Sequence, residues 1–287
     1  MTSALRTFDR RSTRKRNPAR AFFDIGLIIV GLLMIMPIAW MIITSVTPPL
    51  KAFVLPPNWL PWPITVGNFA AIPGLIPFFQ MALNSLTISV IAMVGAVFTS
   101  SIAGYAFSRL RFAGKERIFI VLLGGLMVPA QLTVVPLFII MKNLGLIDTL
   151  PSVWLPTLIN VFGIFFMRQY FASIPRELDE AMKLDGAGHF RILFRLILPL
   201  SKPAISALAI LVFESSWNGF FWPLIFLNSP DKMTLPVGLV MLQDSRSGTP
   251  AVVVLAAVAA VVLPLLIAFF FFQKSFVSSV ATAGIKG

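Results

Sequence analysis

The chain of 287 residues has no cysteine, a single histidine (His189) and only 12% charged residues. Without cysteine there is no disulfide and no thiolate metal site, and one imidazole cannot make a His-pair metal site. No G-x-x-x-x-G-K-[ST] run occurs, so the usual phosphate cradle for ATP is missing. A long hydrophilic domain between the apolar segments is also absent. Soluble domains carry roughly a quarter charged residues, whereas this chain is 57% hydrophobic with a mean hydropathy of +0.90. Such a composition is that of an integral membrane protein.

What is present is a series of apolar runs near the roughly 20 residues that a helix needs to cross a bilayer. They lie at about 25–46, 83–107, 118–141, 150–167, 204–227 and 251–273. These runs are continuous and do not alternate as barrel strands do, so they predict spanning helices. The expected fold is all-α, a polytopic membrane protein with six transmembrane helices over residues 25–273.

Orientation follows from Lys and Arg, which concentrate on the cytoplasmic side. In a six-span arrangement, all of the 23 basic residues except Lys51, Lys142, Lys232 and Arg246 fall on one side. Both termini are then cytoplasmic, as are a basic tail (1–24), the loop 168–203 and a C-terminal tail (274–287). The net charge of +12 is explained by this bias and implies no nucleic acid. The Arg10–Arg16 cluster followed by a full-length span reads as a positive-inside anchor, not a cleaved signal.

Between the first and second runs, prolines 56, 57, 61, 63, 73 and 77 forbid a long helix, and Trp59 and Trp62 suit the membrane interface. A short helix is expected near Asn68–Ala71. The third run carries Gly124, Gly125, Pro129 and Pro136 and should be bent and bundle-facing. Gln131 beside that bend either faces a path or serves as an interhelical hydrogen bond. The loop Asn228–Pro250 shows both charge signs and little else.

The segment Arg168–Pro203 has dense charge of both signs between apolar runs. Ser173 with Ile174–Pro175 signals a helix start, and Glu177, Asp179 and Glu180 suit its positive dipole end. That helix should run to about Leu184. Gly186 and Gly188 offer positive φ for a turn. A second helix, about His189–Leu198, carries Phe190, Leu193, Phe194 and Ile197 as an amphipathic stripe. No pocket or partner acid surrounds the carboxylates, so catalysis within this chain is not expected, and His189 reads as a solvated or docking residue. A knob of this shape on the cytoplasmic face implies a docking partner.

The order Glu180-Ala181-Met182-x-x-Asp185-Gly186-Ala187, followed by Phe190, Phe194 and Leu198-Pro199, resembles the EAA signature of bacterial ABC importer permeases. Met182 stands where that signature usually has a second alanine. Asn84-Ser85, Trp217-Asn218, Pro223-Leu224 and the tail Ala281-Thr282-Ala283-Gly284-Ile285-Lys286-Gly287 resemble the second permease of the carbohydrate-uptake, maltose-type group. The resemblance implies that the loop is a coupling helix seated on an ATP-binding subunit. It implies a second homologous permease (a heterodimer), two ATP-binding cassette subunits that hold ATP and Mg, and an extracytoplasmic solute-binding protein. This chain itself would bind no cofactor and would sit in the cytoplasmic (inner) membrane.

Glu214 is the one acid inside a run. A mid-helix carboxylate costs about 2.5–3.5 kcal/mol to insert, so it should face the bundle or water. With Phe213, Trp217 and Asn218 nearby, apolar rings and polar groups mix as a sugar site requires. Glu214, Trp217, Asn218, Phe213 and Gln131 are thus the candidate substrate path. The alternative is that they only tie helices together. The absence of Lys or Arg inside any run favours a neutral sugar, such as a di- or oligosaccharide, over a glycerol-phosphate-type solute. An ion-coupled secondary transporter, the other class, would rest on Glu214 alone.

Overall fold

The computed structural model describes residues 18–54, 59, 62–243 and 248–266. Most of the basic tail, the end of the sixth run and the tail 274–287 lie outside the described residues. Within them the chain is helical, with no strand. The helices are α1 (Pro18–Ser45), α2 (Gly67–Leu75), α3 (Phe78–Arg109), α4 (Lys115–Gly124), α5 (Val134–Asn143), α6 (Leu150–Trp154) and α7 (Val161–Ala172). There follow α8 (Glu177–Leu184), α9 (His189–Ile192), α10 (Leu198–Leu200), α11 (Lys202–Trp217), α12 (Phe221–Phe226) and α13 (Leu235–Gln243). An apolar helix, α14, covers Ala251–Leu266.

Among the described residues, three helical stretches are long and apolar enough to cross a membrane, Phe22–Ser45, Phe78–Arg109 and Leu150–Ala172; counting each bent pair as one span gives up to five. The third expected span is not one gently bent helix. Lys115–Met127 and Ala130–Asn143 meet at 96°. Pro129 has no N–H to continue the ladder and drives Val128 into extended backbone (φ −82°, ψ 115°). Pro136 sits in the first turns of α5, where its missing donor costs nothing.

At 32 residues, α3 is about 48 Å long, well beyond a bilayer core of about 30 Å. It is the axis of the molecule. Ala92, Ala96, Ser100 and Gly104 recur every fourth residue, so they form one stripe, and the first three are fully buried. Small side chains let backbones approach, which is how helices associate in lipid. A Cβ on Gly104 would stand 2.8 Å from Met167 Cβ and 3.0 Å from the Arg168 backbone, and one on Gly163 would meet Ser100 at 2.4 Å. Thus α3 and α7 touch main chain to main chain.

At the end of α3 away from Arg109, Asn84 Nδ2 donates to the carbonyls of Asp231 and Met233 (2.8 and 2.9 Å), and Leu235 N–H donates to Ser85 Oγ at 2.8 Å. The first N–H of a helix has no partner of its own, so Ser85 caps α13, a helix inside the loop for which no structure was expected. By contrast, α1 is exposed along almost its whole length. Its end is tied through Asn68, whose amide donates to the Ser45 and Thr47 carbonyls, both at 2.8 Å.

Candidate functional site

The charged loop forms the expected helical hairpin. Its first arm is α8, with Glu177, Asp179 and Glu180 at the positive end and Lys183 at the negative end. Ser173 does not start it. That residue ends α7, with its hydroxyl donating to the Tyr170 carbonyl, and the residue before α8 is Arg176. After α8 the chain reverses at Gly186, whose φ is +76°. Asp185 N–H and Ala187 N–H donate back to the Ala181 and Met182 carbonyls, satisfying helix-end acceptors. Gly188 is extended (φ −74°, ψ 167°), so only one of the two glycines supplies the left-handed turn. The second arm, α9 through α10, contains a π-helical segment at Leu193–Ile197 and meets α11 at 80°.

The six motif residues divide by direction. Glu180, Ala181, Asp185 and Gly186 are exposed, with Leu184 (90%) and Phe190 (74%) beside them. Met182 packs on the cluster of Tyr105, Phe171, Ile192 and Ile197, and Ala187 is buried in it. The outer face offers both acid and apolar surface, while the inner face glues the hairpin to the spans.

Behind α8 lies a contact the sequence did not disclose. Asp179 is 6% exposed, and its Oδ2 stands 3.5 Å from Nε of Arg109, the last residue of α3. Arg109 Nη2 also donates to the Phe171 and Ile174 carbonyls, both at 2.7 Å. Burying a charge is tolerated when it is paired and hydrogen-bonded; removing one partner of such a pair costs about 3–5 kcal/mol. The second arm is reached by Tyr105, whose hydroxyl lies 3.5 Å from His189 Nδ1. The sequence reading explained Arg109 by topology and Asp179 by the helix dipole, and both explanations left the pairing invisible.

The candidate path residues are split into groups. Glu214 and Asn218 are exposed and bonded, Nδ2 to Oε1 at 2.7 Å. Phe213 and Trp217 stack at 5.8 Å. Trp217 is 4% exposed, and its Nε1 donates to the Val261 carbonyl of α14. With Phe79, Ala82, Leu83, Leu86 and Pro264 these two rings line a cavity of about 510 Å³, and neither Glu214 nor Asn218 lines it. That hollow is apolar; sugar hydroxyls would find no partners there. Gln131 lies exposed at the 96° bend and shares no hydrogen bond with the other four among the described residues.

Polar groups gather where helices break. After Trp217, Asn218-Gly219-Phe220 is non-helical before α12 begins. A Cβ on Gly219 would stand 2.9 Å from the Ser216 carbonyl. Between the Leu155–Leu158 turn and α7, Thr99 Oγ1 donates to the Leu158 carbonyl and Asn160 Oδ1 accepts from Gly163 N–H at 2.7 Å. Measured along each helix from its basic end, the breaks in α4, α7 and α11 lie about 18–24 Å in. Irregular backbone at such depth persists only inside protein or against water.

On the opposite face, Asp148 accepts from Asn228 N–H, Ser229 N–H and Ser229 Oγ and pairs with Lys232 Nζ at 2.9 Å. These donors, the Ser229 hydroxyl first, hold its carboxyl well below the usual carboxylate range. This clamp joins the α5–α6 turn to the α12–α13 loop and was not anticipated, because its partners lie some 80 residues apart.

Residues 96–282 match the family described as "Binding-protein-dependent transport system inner membrane component". The chain is 34% identical to the arabinooligosaccharides transport system permease protein AraQ of Halalkalibacterium halodurans, over 96% of this chain and 99% of that one. It is 31% identical to the trehalose/maltose transport system permease protein MalG of Thermococcus litoralis, over 93% and 97%. A crystal structure of a bacterial ABC transporter involved in the import of the acidic polysaccharide alginate superposes with a TM-score of 0.79 at 26% identity, covering 91% of this chain and 98% of that one. The hairpin, the apolar helices and these matches agree: the chain belongs to the inner-membrane permease family of binding-protein-dependent ABC importers, whose members are membrane subunits and not catalytic ones.

Proposed function

We propose that this chain is one of a pair of homologous permeases in an ATP-driven importer that passes a neutral di- or oligosaccharide into the cytoplasm by alternating access. Its hairpin faces the cytoplasm, where two ATP-binding cassette subunits hold ATP and Mg. A solute-binding protein delivers the sugar from outside. The observation that carries the reading is the outward face of the hairpin, where Glu180, Ala181, Leu184 and Asp185 stand free on a helix whose opposite side is locked to the spans. An uncovered surface of mixed acid and apolar groups on such a knob is the kind of surface a docked subunit would cover. The names of the oligosaccharide permeases it resembles support the cargo class, as does the absence of Lys and Arg from the apolar runs.

Glu214 and Asn218, exposed at the α11 break, are the hydroxyl-binding pair in this reading, with Phe220 and Phe221 beside them as partly exposed rings. Reconstitution of the chain with its genomic neighbours in vesicles tests it. Uptake of labelled arabino-oligosaccharide, maltose or trehalose should require enclosed ATP. Full uptake after ATP depletion would overturn the proposal, and preference for an acidic oligosaccharide would overturn the neutral cargo.

A further inference from the structure

In the permease reading the hairpin passes force to the spans; its apolar side packs on α3, α7 and α11 alike, while its polar side-chain contacts go to α3. Arg109 ends α3 and Tyr105 lies one turn before it, so the two side chains leave the same face of the helix. Arg109 reaches the first arm through Asp179 and holds the approach to that arm through the Phe171 and Ile174 carbonyls. Tyr105 meets the start of the second arm at His189. Met182, Ala187, Ile192, Leu193 and Ile197 fill the space between these points and Tyr105 and Phe171. We infer that Tyr105 and Arg109 form a two-point clasp by which the hairpin and α3 move as one body, making α3 the lever that the ATP-driven stroke turns. This rests on the permease reading above and names the positioning residues within it.

Two features favour a clasp over an incidental ion pair. Arg109, its side chain buried, is held by two charge-assisted hydrogen bonds to the chain entering the hairpin and by its ion pair with Asp179, so sliding the hairpin would separate buried opposite charges. Furthermore, α3 carries the backbone contacts to α7 and supports the break at Leu158–Asn160 through Thr99 and Ser100. A displacement of its basic end therefore reaches the polar breaks directly, without passing along the loop α7–α8.

The absence of native cysteine makes the test direct. Spin labels at Arg191→Cys on the second arm, away from the docking face, and at Arg111→Cys, both exposed sites, report the distance from the hairpin to the end of α3 in the assembled transporter in nanodiscs. The expected result is the same mean distance, within about 2 Å, in nucleotide-free and ATP–vanadate-trapped complexes. A trapped complex in which that distance shifts by 5 Å or more overturns the clasp. In Asp179→Asn, which keeps the shape and removes the charge, the distribution should broaden about twofold on trapping; a distribution that stays as narrow as wild type counts against it. Tyr105→Phe provides the second variant should Asp179→Asn not assemble, and the same broadening is expected. If the ATP-binding subunits never copurify with the unmodified chain, it is the permease reading that fails, and the clasp fails with it for that separate reason.

Discussion

Asp148 adopts a left-handed backbone (φ 59°) that a non-glycine side chain rarely takes, and what holds it there is the set of donors around its carboxylate. Because its folded pKa is depressed, the stabilisation is complete above the unfolded value near pH ~3.9 and is lost as pH falls through the lower folded value. Hence Asp148→Asn should lower the melting temperature of the detergent-solubilised protein by a constant amount between pH 5 and 8. The gap to wild type should narrow below about pH 4; a gap that widens in acid would contradict the assignment. Glu214 leads to the opposite expectation for stability. Replacing it by Leu removes an exposed carboxylate from the last turn of α11, so melting temperature should hold or rise while initial uptake falls tenfold or more. Unchanged uptake would reduce Glu214 to a tie for the Asn218 turn. The sequence revealed Glu214 because one acid in an apolar run stands out. Asp148, Asp179 and Arg109 were hidden, since a charge in a polar loop looks the same whether it is solvated or clamped to a residue about 70 or 80 positions away.

At the scale of helices, the α3–α7 crossing is set by glycine and serine, not by large apolar side chains. Gly104 has backbone atoms within about 3 Å of where a Cβ would be, while Gly31 on α1 has nothing within 4 Å. Overpacking a tight contact costs about 1–3 kcal/mol, occasionally more. Gly104→Val should therefore lower the melting temperature by several degrees and Gly31→Val should not, as scanning fluorimetry on the purified protein will show. Helix existence was largely readable from apolar length, and the hairpin from its acids, glycine and amphipathic stripe. The breaks were readable only in part. Pro129 marked a bend, but its 96° depends on what packs on either side. The breaks at Asn160 and Gly219 lie four residues from Pro156 and Pro223, and donors on α3 and close backbone contact complete them. Likewise α13 was missed because its cap, Ser85, lies 150 residues earlier.

For the molecule as a whole, the two ends of the bundle are built differently. The basic end carries the buried Arg109–Asp179 pair and the exposed hairpin. The other end is closed by side chains that hold loops to α3 and to one another, namely Asn84, Ser85 and Asp148. Between them, three helices break at similar depth. In the proposed alternating-access cycle, two packed ends joined by irregular backbone would open in turn by yielding in the middle, since packed units are bistable and not continuously deformable. This arrangement requires that the hairpin and the α1–α2 loop face opposite compartments. Single cysteines at Leu184 and Leu50, both almost fully exposed (90% and 95%), test that requirement in a chain with no background thiol. With the chain expressed without ATP-binding subunits, a membrane-impermeant maleimide should label Leu50→Cys in intact spheroplasts and Leu184→Cys only in inverted vesicles. Labelling of both from the same side would break the span count and, with it, the assignment of the hairpin to the cytoplasm. The reverse pattern would turn the molecule over, against the bias of its Lys and Arg, and leave the ATP-driven stroke with no surface to act upon.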